Sequence, residues 1–512
     1  MKVTRSIVGI SVAAVTLTCA LVTVRFAAHA VENSAGAGVR VDSSPLNRDL
    51  RTGNSYAPIV KKVAPSVVNI YSTRFIKQRI YSNPLMLDPL FRQFFGDQFP
   101  GDAREITRRD NWLGCGMIVS PDGYILTANH VVEGADEIKV VIQNDRNEYS
   151  AKVVGMDPPT DVAILKIDAR NLPAITLGDS DQLEVGDVVL AIGDPFGIGQ
   201  TVTRGIISAL GRSLFDPNDR SSDHRQYQDF IQTDAAINHG NSGGALVDTK
   251  GRLIGINDAI YSPSGASAGI GFAVPINLAR SVMEGFLTRG KVTRGYLGIE
   301  PQDIDAALAR EFGAPTTSGA LVTDVMSNSP AAKAGLKPGD IIVAINDKPI
   351  TSADNFSVVV SQLPPGSQAQ VKFFRNGAPQ TVGVALAERP DKPQNTAQPS
   401  EPPAAKPKAD ALDGVSILNL DPDIRQQLGA PESVTGAVVV TVDRASNSYA
   451  AGLRRGDVIE EVNHQPVASA KETVDLCKAA RGNQILVKIW RQLGDGAITR
   501  YLSVDNTQQT NN

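Results

Sequence analysis

Three short strings carry side chains able to do covalent chemistry: Leu126-Thr127-Ala128-Asn129-His130-Val131-Val132, Thr160-Asp161-Val162-Ala163-Ile164-Leu165 and Gly240-Asn241-Ser242-Gly243-Gly244. Taken singly, the first two say little. A lone histidine is most often a structural or surface residue, and an aspartate opening an apolar strand is most often a turn cap. The third says more, because glycines around Ser242 free the backbone for a tight turn that projects a hydroxyl while neighbouring N–H groups converge on one spot. The chain is apolar on both sides of it, at Phe230-Ile231 and Ala245-Leu246-Val247, which argues against a solvated loop. A serine hydroxyl is a weak nucleophile at neutral pH. It needs a base within about 2.6 to 3.2 Å and a carboxylate to hold that base in one tautomer. His130 and Asp161 are the right types for those roles, and the backbone around Gly240, Asn241 and Ser242 is the expected oxyanion hole. The chemistry would be acyl transfer.

Composition narrows the alternatives. The 512 residues are 42% apolar and 20% charged, which excludes a wholly disordered or fibrous chain and leaves room for three or four domains. With 50 basic and 54 acidic residues and no basic run, nucleic acid is not an expected partner. The five histidines include no H-E-x-x-H spacing, so no metal or other cofactor is expected. Three cysteines, Cys19, Cys115 and Cys477, cannot build a disulfide scaffold.

The elements that must position the three strings are short and β-rich. Ser66–Tyr71, Gly116–Val119, Ile138–Ile142, Val162–Ile167, Val188–Ile192 and Arg252–Ile256 read as strands cut by Gly, Pro and Asp, with one amphipathic helix at Asn277–Leu287. Residues 56–289 therefore read as an all-β sandwich or barrel pair, with a long insertion at 74–112 where Phe91, Phe94, Phe95 and Phe99 cluster. Residues 1–30 read as a signal peptide, with Lys2 and Arg5, an uncharged stretch and Ala28-His29-Ala30, or as a retained membrane anchor; either places the rest outside the cytoplasm. Residues 31–55 read as a flexible spacer, 390–410 as a proline-rich linker and 506–512 as a disordered tail.

Beyond residue 289 the chain repeats. Gly319-Ala320-x-Val322 returns as Gly436-Ala437-x-Val439, and Gly335-Leu336-x-x-Gly339-Asp340-x-Ile342 as Gly452-Leu453-x-x-Gly456-Asp457-x-Ile459, which defines two modules at 292–389 and 411–505. The string from Ser329 to Asn346 resembles PDZ domains, which add an extended peptide to a sheet edge and hold its C-terminal carboxylate with backbone N–H groups. By that resemblance the carboxylate-binding loop is Tyr296-Leu297-Gly298-Ile299, and Leu412-Asp413-Gly414-Val415 is its counterpart. Asp413 would set a negative charge beside an incoming carboxylate, so the second copy reads equally as a packing or assembly module.

The order His130, Asp161, Ser242 is that of chymotrypsin-like serine proteases. With Asp122-Gly123-Tyr124-Ile125-Leu126-Thr127, Ala191-Ile192-Gly193-Asp194-Pro195-Phe196-Gly197 and Asp229-Phe230-Ile231-Gln232-Thr233-Asp234, the chain resembles the HtrA (Do-like) family of trypsin-fold serine proteases with C-terminal PDZ domains. The resemblance implies a mainly β, two-barrel protease followed by two PDZ domains, ATP-independent proteolysis of unfolded or damaged envelope proteins with chaperone-like holding, and a periplasmic location. It also implies trimers or multiples of them, C-terminal peptides bound by the first module, and Ile260 and Ile270 lining a pocket for small aliphatic side chains. The segment 212–228 would relay peptide binding to the active site, and the insertion would serve regulation or assembly. A proteolytically silent chaperone and a PDZ adaptor with a vestigial barrel are the rival readings; the intact triad and glycines speak against them. Cys115 stands where relatives carry serine, and His239 where many have Pro or Arg.

Overall fold

The computed structural model describes residues 38–44, 55–81, 103–142, 147–194, 199–213, 227–238, 240–260, 268–390, 409–480, 482–493 and 496–507. These fall into two compact units, one made of the chain up to Leu210 with Phe230–Lys291, the other of Gly211–Asp229 with everything from Val292 onward.

The first unit holds two closed barrels. Strands β1 (Val67–Tyr81), β2 (Ala103–Ile118), β3 (Tyr124–Ala128), β4 (Glu137–Ile142), β5 (Glu148–Asp157) and β6 (Val162–Ile167) close in the order β1-β2-β3-β6-β5-β4. Side chains of β4 alternate between core and solvent, while β6 is apolar and buried along nearly its whole length, as a wall strand covered on both faces must be. The second barrel uses β7 (Thr176–Leu177), β8 (Val188–Gly193), β9 (Thr201–Arg212), β10 (Phe230–Thr233), β11 (Ala245–Asp248), β12 (Arg252–Ile260) and β13 (Gly271–Pro275). A β11–β12 pairing closes the ring, and β7 attaches to β12 as an extra strand. Each barrel has its own core, Val68, Ile70, Ile125, Val140 and Leu165 in one and Val189, Ile207, Ile231, Leu246 and Ile254 in the other. The helix Ile276–Arg289 starts directly after Pro275 and stops at Gly290, whose φ of 71° ends it.

Three boundary expectations need correction. The spacer read at 31–55 contains an ordered strap: Val39 and Val41 are buried, Asp42 N–H donates to Leu177 at 3.0 Å, and Leu177 N–H donates back to Arg40 at 3.0 Å. Its small residues suggest flexibility, yet both valines are buried, Val41 pairs with Leu177, and the carbonyls of Asp42 and Ser44 accept from the buried Arg252 guanidinium. The linker read at 390–410 gives way to a strand at Ala409. The tail read at 506–512 is held at its start, where Asn506 N–H donates to Asn483 at 2.7 Å. As for the 74–112 insertion, its flanks extend the β1–β2 hairpin from Val67↔Met117 to Tyr81↔Ala103, while the four phenylalanines lie outside the described residues.

The second unit contains the repeated modules. The first has a two-strand ladder of β14 (Gly295–Tyr296) with β21 (Ala387–Glu388), and a sheet of β15 (Ile299–Gln302), β16 (Ala320–Val325), β17 (Ile341–Ile345), β18 (Lys348–Pro349), β19 (Gln368–Arg375) and β20 (Ala378–Ala385). The second has β22 (Ala409–Leu412), β23 (Val415–Asn419), β24 (Ala437–Val442), β25 (Val458–Val462), β26 (Gln465–Pro466), β27 (Gln484–Leu493) and β28 (Gly496–Asp505) in one sheet. The repeat is physical as well as textual. Ser329 and Ser446 cap equivalent short helices, Ser352 and Ser469 cap the longer ones at Ala353–Gln362 and Ala470–Ala479, and Asn346-Asp347 and Asn463-His464 make two-residue turns with positive φ. The modules meet over Ile304, Leu308, Phe312, Leu486 and Tyr501, where Gln302 exchanges two hydrogen bonds with the Tyr501 backbone at 2.8 and 2.9 Å.

Candidate active site

His130 is the second residue of a single helical turn, Asn129–Val132, that follows β3 directly. Asp161 ends the turn Pro158–Thr160 before β6, in a left-handed conformation with φ 55°. That conformation is uncommon for a residue with a Cβ, and Asp tolerates it better than most. It lets one carboxylate serve two donors: Oδ1 accepts from the His130 backbone N–H at 2.9 Å, and Oδ2 lies 2.6 Å from His130 Nδ1. The β3–β6 pairing, with Ala128 opposite Val162, brings the two together. Asp161 is buried and the His130 ring is about one-third exposed, as a base serving substrate from a fixed carboxylate should be.

Ser242 sits on a turn held from several sides. Cys115 N–H donates to Ser242 O at 2.8 Å, Gly243 N–H to Asn257 O at 2.7 Å, Asn257 N–H to Gly244 O at 2.8 Å, and Gly244 N–H to Asn241 O at 2.8 Å. Gly243 has φ 78°, and a Cβ there would lie 2.2 Å from Cys115 O, so this glycine is obligatory. Among the described residues neither Gly240 N–H nor Ser242 N–H has a protein acceptor, as oxyanion donors require. Asn241, expected between the two donors, directs its own N–H to Asn238 O at 3.0 Å and buries its side chain, which holds the turn. The Ser242 hydroxyl donates to the backbone carbonyl of Asp258 at 3.1 Å.

Cys115 braces this turn as well. Its thiol donates to Gly240 O at 3.0 Å and accepts from Asp194 N–H at 3.1 Å, and burial pushes it up to about 12, so it stays protonated and able to donate. Asp194 in turn accepts from the Asn69 amide at 2.6 Å and Gly199 N–H at 2.7 Å. His239 lies outside the described residues.

One residue escaped the sequence reading. Asp258, fully buried on β12, places Oδ1 3.6 Å from His130 Nδ1. His130, Asp161 and Asp258 offer ligand atoms within 4.8 Å of one another, compact enough for a cation, but Nδ1 is already engaged with Asp161 at 2.6 Å and the trio reads as a proton-handling cluster. The one available signal was an acidic residue two positions past the strand read at Arg252–Ile256. Of the two residues expected to line a specificity pocket, Ile260 ends β12 opposite Gly271, which brings its backbone beside Ile270, itself partly buried.

In the first module Tyr296 ends β14, Ile299 opens β15, and Leu297 and Ile299 are buried around Gly298 at φ 78°. Among the described residues none accepts from the Leu297 N–H. The counterpart is built differently: Asp413-Gly414 is the tip of a hairpin pairing Leu412 with Val415, and the Asp413 N–H is taken by Asn506 Oδ1 at 2.8 Å.

Comparison with known proteins bears on the family. Residues 114–256 match the trypsin-like peptidase domain, and 295–386 and 438–491 each match the PDZ domain. A Pseudomonas putida protein named "Probable periplasmic serine endoprotease DegP-like" is 40% identical over 447 residues, covering 85% of this chain and 91% of the relative. One of the same description from Chlamydia trachomatis is 40% identical over 415 residues, covering 81% and 79%. A solved structure, "HtrA-type protease AlgW with decapeptide", is 46% identical over 66% of this chain and 99% of its own, with a TM-score of 0.50. With two barrels, two PDZ modules and relatives 40% identical over most of both chains, the chain belongs to the DegP-like, HtrA-type family of serine endoproteases.

Proposed function

We propose that the protein degrades unfolded or damaged envelope proteins in the periplasm without ATP, through His130, Asp161 and Ser242, and holds such chains as a chaperone would. The observation that carries the triad is the 2.6 Å contact of Asp161 with His130 Nδ1, together with Asp258, whose carbonyl lies 3.1 Å from the Ser242 hydroxyl and whose carboxylate lies 3.6 Å from His130 Nδ1. In the reaction Ser242 Oγ leaves the Asp258 carbonyl and attacks a substrate carbonyl as its proton passes to His130 Nε2. The oxyanion takes hydrogen bonds from Gly240 and Ser242 N–H, each typically worth about 3 kcal/mol of barrier. His130 then protonates the leaving amine, and water releases the acyl group by the same steps.

The first module captures free C-termini at Tyr296–Ile299, and trimers or their multiples are the working assembly. The solved relative carrying a decapeptide supports peptide recognition, and the naming of relatives supports the periplasm. Among the described residues no helix is long and apolar enough to cross a membrane; residues 1–37 lie outside them. The relay segment also has support at its end, where Tyr227 lies against the Arg294 and Arg389 guanidinium groups of the first module, 4.6 and 5.5 Å from its ring centroid. Degradation of a casein-like unfolded chain tests the reading: wild type cuts it and spares folded proteins, while Ser242→Ala and His130→Ala each lose all turnover because nucleophile and base act as a unit. Equal activity in Ser242→Ala sinks the triad.

A further inference from the structure

The His130 imidazole faces two carboxylates. Asp161 approaches from the turn before β6 and Asp258 from β12, while Ser242 and Cys115 bring only neutral groups to the same region. Asp258 gets there through a backbone irregularity. Along the β12–β13 ladder Asn257 pairs with Ala273 and Ala259 with Phe272, so Asp258 is the extra residue of a β-bulge. A bulge re-aims the side chain at that point, and bulges gather beside active sites. This one turns the backbone carbonyl of Asp258 to the Ser242 hydroxyl and its carboxylate to His130. At 3.6 Å the contact is too long for a hydrogen bond but well within range of a strong charge interaction. The imidazolium formed during catalysis sets a positive charge beside this buried carboxylate, where their attraction is little screened by water.

We infer that Asp258 is a second carboxylate partner of the catalytic base, a positioning residue that joins Asp161 in orienting His130 and stabilising its imidazolium. This rests on the triad reading above. Two negative charges hold the imidazolium more strongly than one, so the base loses its proton at a higher pH and the acid limb of activity is displaced upward. Asp258 also stands in reserve: when Asp161 cannot accept from Nδ1, a carboxylate is still beside the ring.

The test uses the full-length chain and the rate of Ser242 labelling by a fluorophosphonate across pH, a readout independent of substrate capture by the PDZ modules. In Asp258→Asn the acid limb moves to lower pH by about one unit. Asp258→Thr, of different shape but equally uncharged, shows the same shift, which separates charge from repacking. Asp258→Asn also costs more in an Asp161→Asn background than in wild type, because the reserve carboxylate then matters most. An acid limb unmoved in both variants, or moved in one alone, overturns the inference, and so does a strictly additive cycle. Those outcomes leave the triad standing if Ser242 is still the labelled residue; labelling that persists in Ser242→Ala would instead remove the triad itself.

Discussion

The two PDZ modules share capping serines, turn residues and core positions, but they differ at the edge where a peptide would add. In the first, β14 leaves to pair with β21, so β15 is the terminal strand of its sheet. In the second, β22 folds back through Asp413-Gly414, pairs with β23 and runs along the Ala470–Ala479 helix. Strand addition needs an open edge beside that helix. The second module fills its edge with four residues of its own chain, and the negative charge of Asp413 is secondary to that occupancy. A duplicated domain can thus keep its core and lose its groove by a change in the segment that leads into it.

The largest contrast expected concerns stability. Each module pairs a buried aspartate with an arginine, Asp340 with Arg375 and Asp457 with Arg491, both at 2.6 Å. The arginine is 25% exposed in the first pair and 9% in the second, so water can rescue an orphaned guanidinium only in the first. Asp457→Asn should cost about 3 to 5 kcal/mol and Asp340→Asn roughly half that, measured by urea unfolding of the Ser242→Ala chain. Equal losses would remove this difference between the modules.

Next comes peptide binding. A Cβ at Gly298 would lie 2.3 Å from Ser329 Cβ, and one at Gly414 2.6 Å from Ser446 Cβ, both at positive φ, so Gly298→Ala and Gly414→Ala strain their modules alike. Only Gly298→Ala should weaken a labelled peptide with a free apolar C-terminus, by about a hundredfold or ~2.7 kcal/mol, in fluorescence anisotropy with the Ser242→Ala chain. Asp413→Leu should create no second site. A gain of peptide stoichiometry in that variant would show that charge, not the folded-back strand, closes the groove.

A third contrast concerns pH at the junction of the modules. Burial raises Glu460 to about 7, assisted by Asp324 and Glu461 and opposed by Lys488. The folded state therefore keeps a proton that the unfolded chain releases near 4.5, so the stability tied to that proton is full below about 4.5 and lost as pH rises through about 7. Relative to Glu460→Gln, the wild type should lose on the order of 2 to 3 kcal/mol across that window in thermal melts. A pH-independent difference would show that Glu460 is solvated.

The tight turn at Ser242, both modules and most strands were legible because each rests on a local pattern: glycines around Ser242, apolar alternation in β4, a repeated Gly-Asp turn. Asp258 was not, because a β-bulge is set by how β12 meets β13 and leaves no mark in composition. Nor was β22, since Ala409–Leu412 follows a proline-rich stretch and becomes a strand only through its pairing with β23. The strap at 38–44 hid in the same way, its small residues suggesting a spacer until Val41 pairs with Leu177 of β7.

That strap also bears on how much of the amino-terminal region the protease can shed. The Arg252 guanidinium is 97% hidden; Asp248 supplies its anion at 2.7 Å, but the strap supplies carbonyls at Asp42 and Ser44 and the Ser44 hydroxyl. A cut upstream of Val39 leaves this cradle whole. A cut past Ser44 strips three acceptors from a buried cation and removes two buried valines with them. Trimming is therefore tolerated up to a definite residue and damaging beyond it, in a region whose composition suggests indifference throughout.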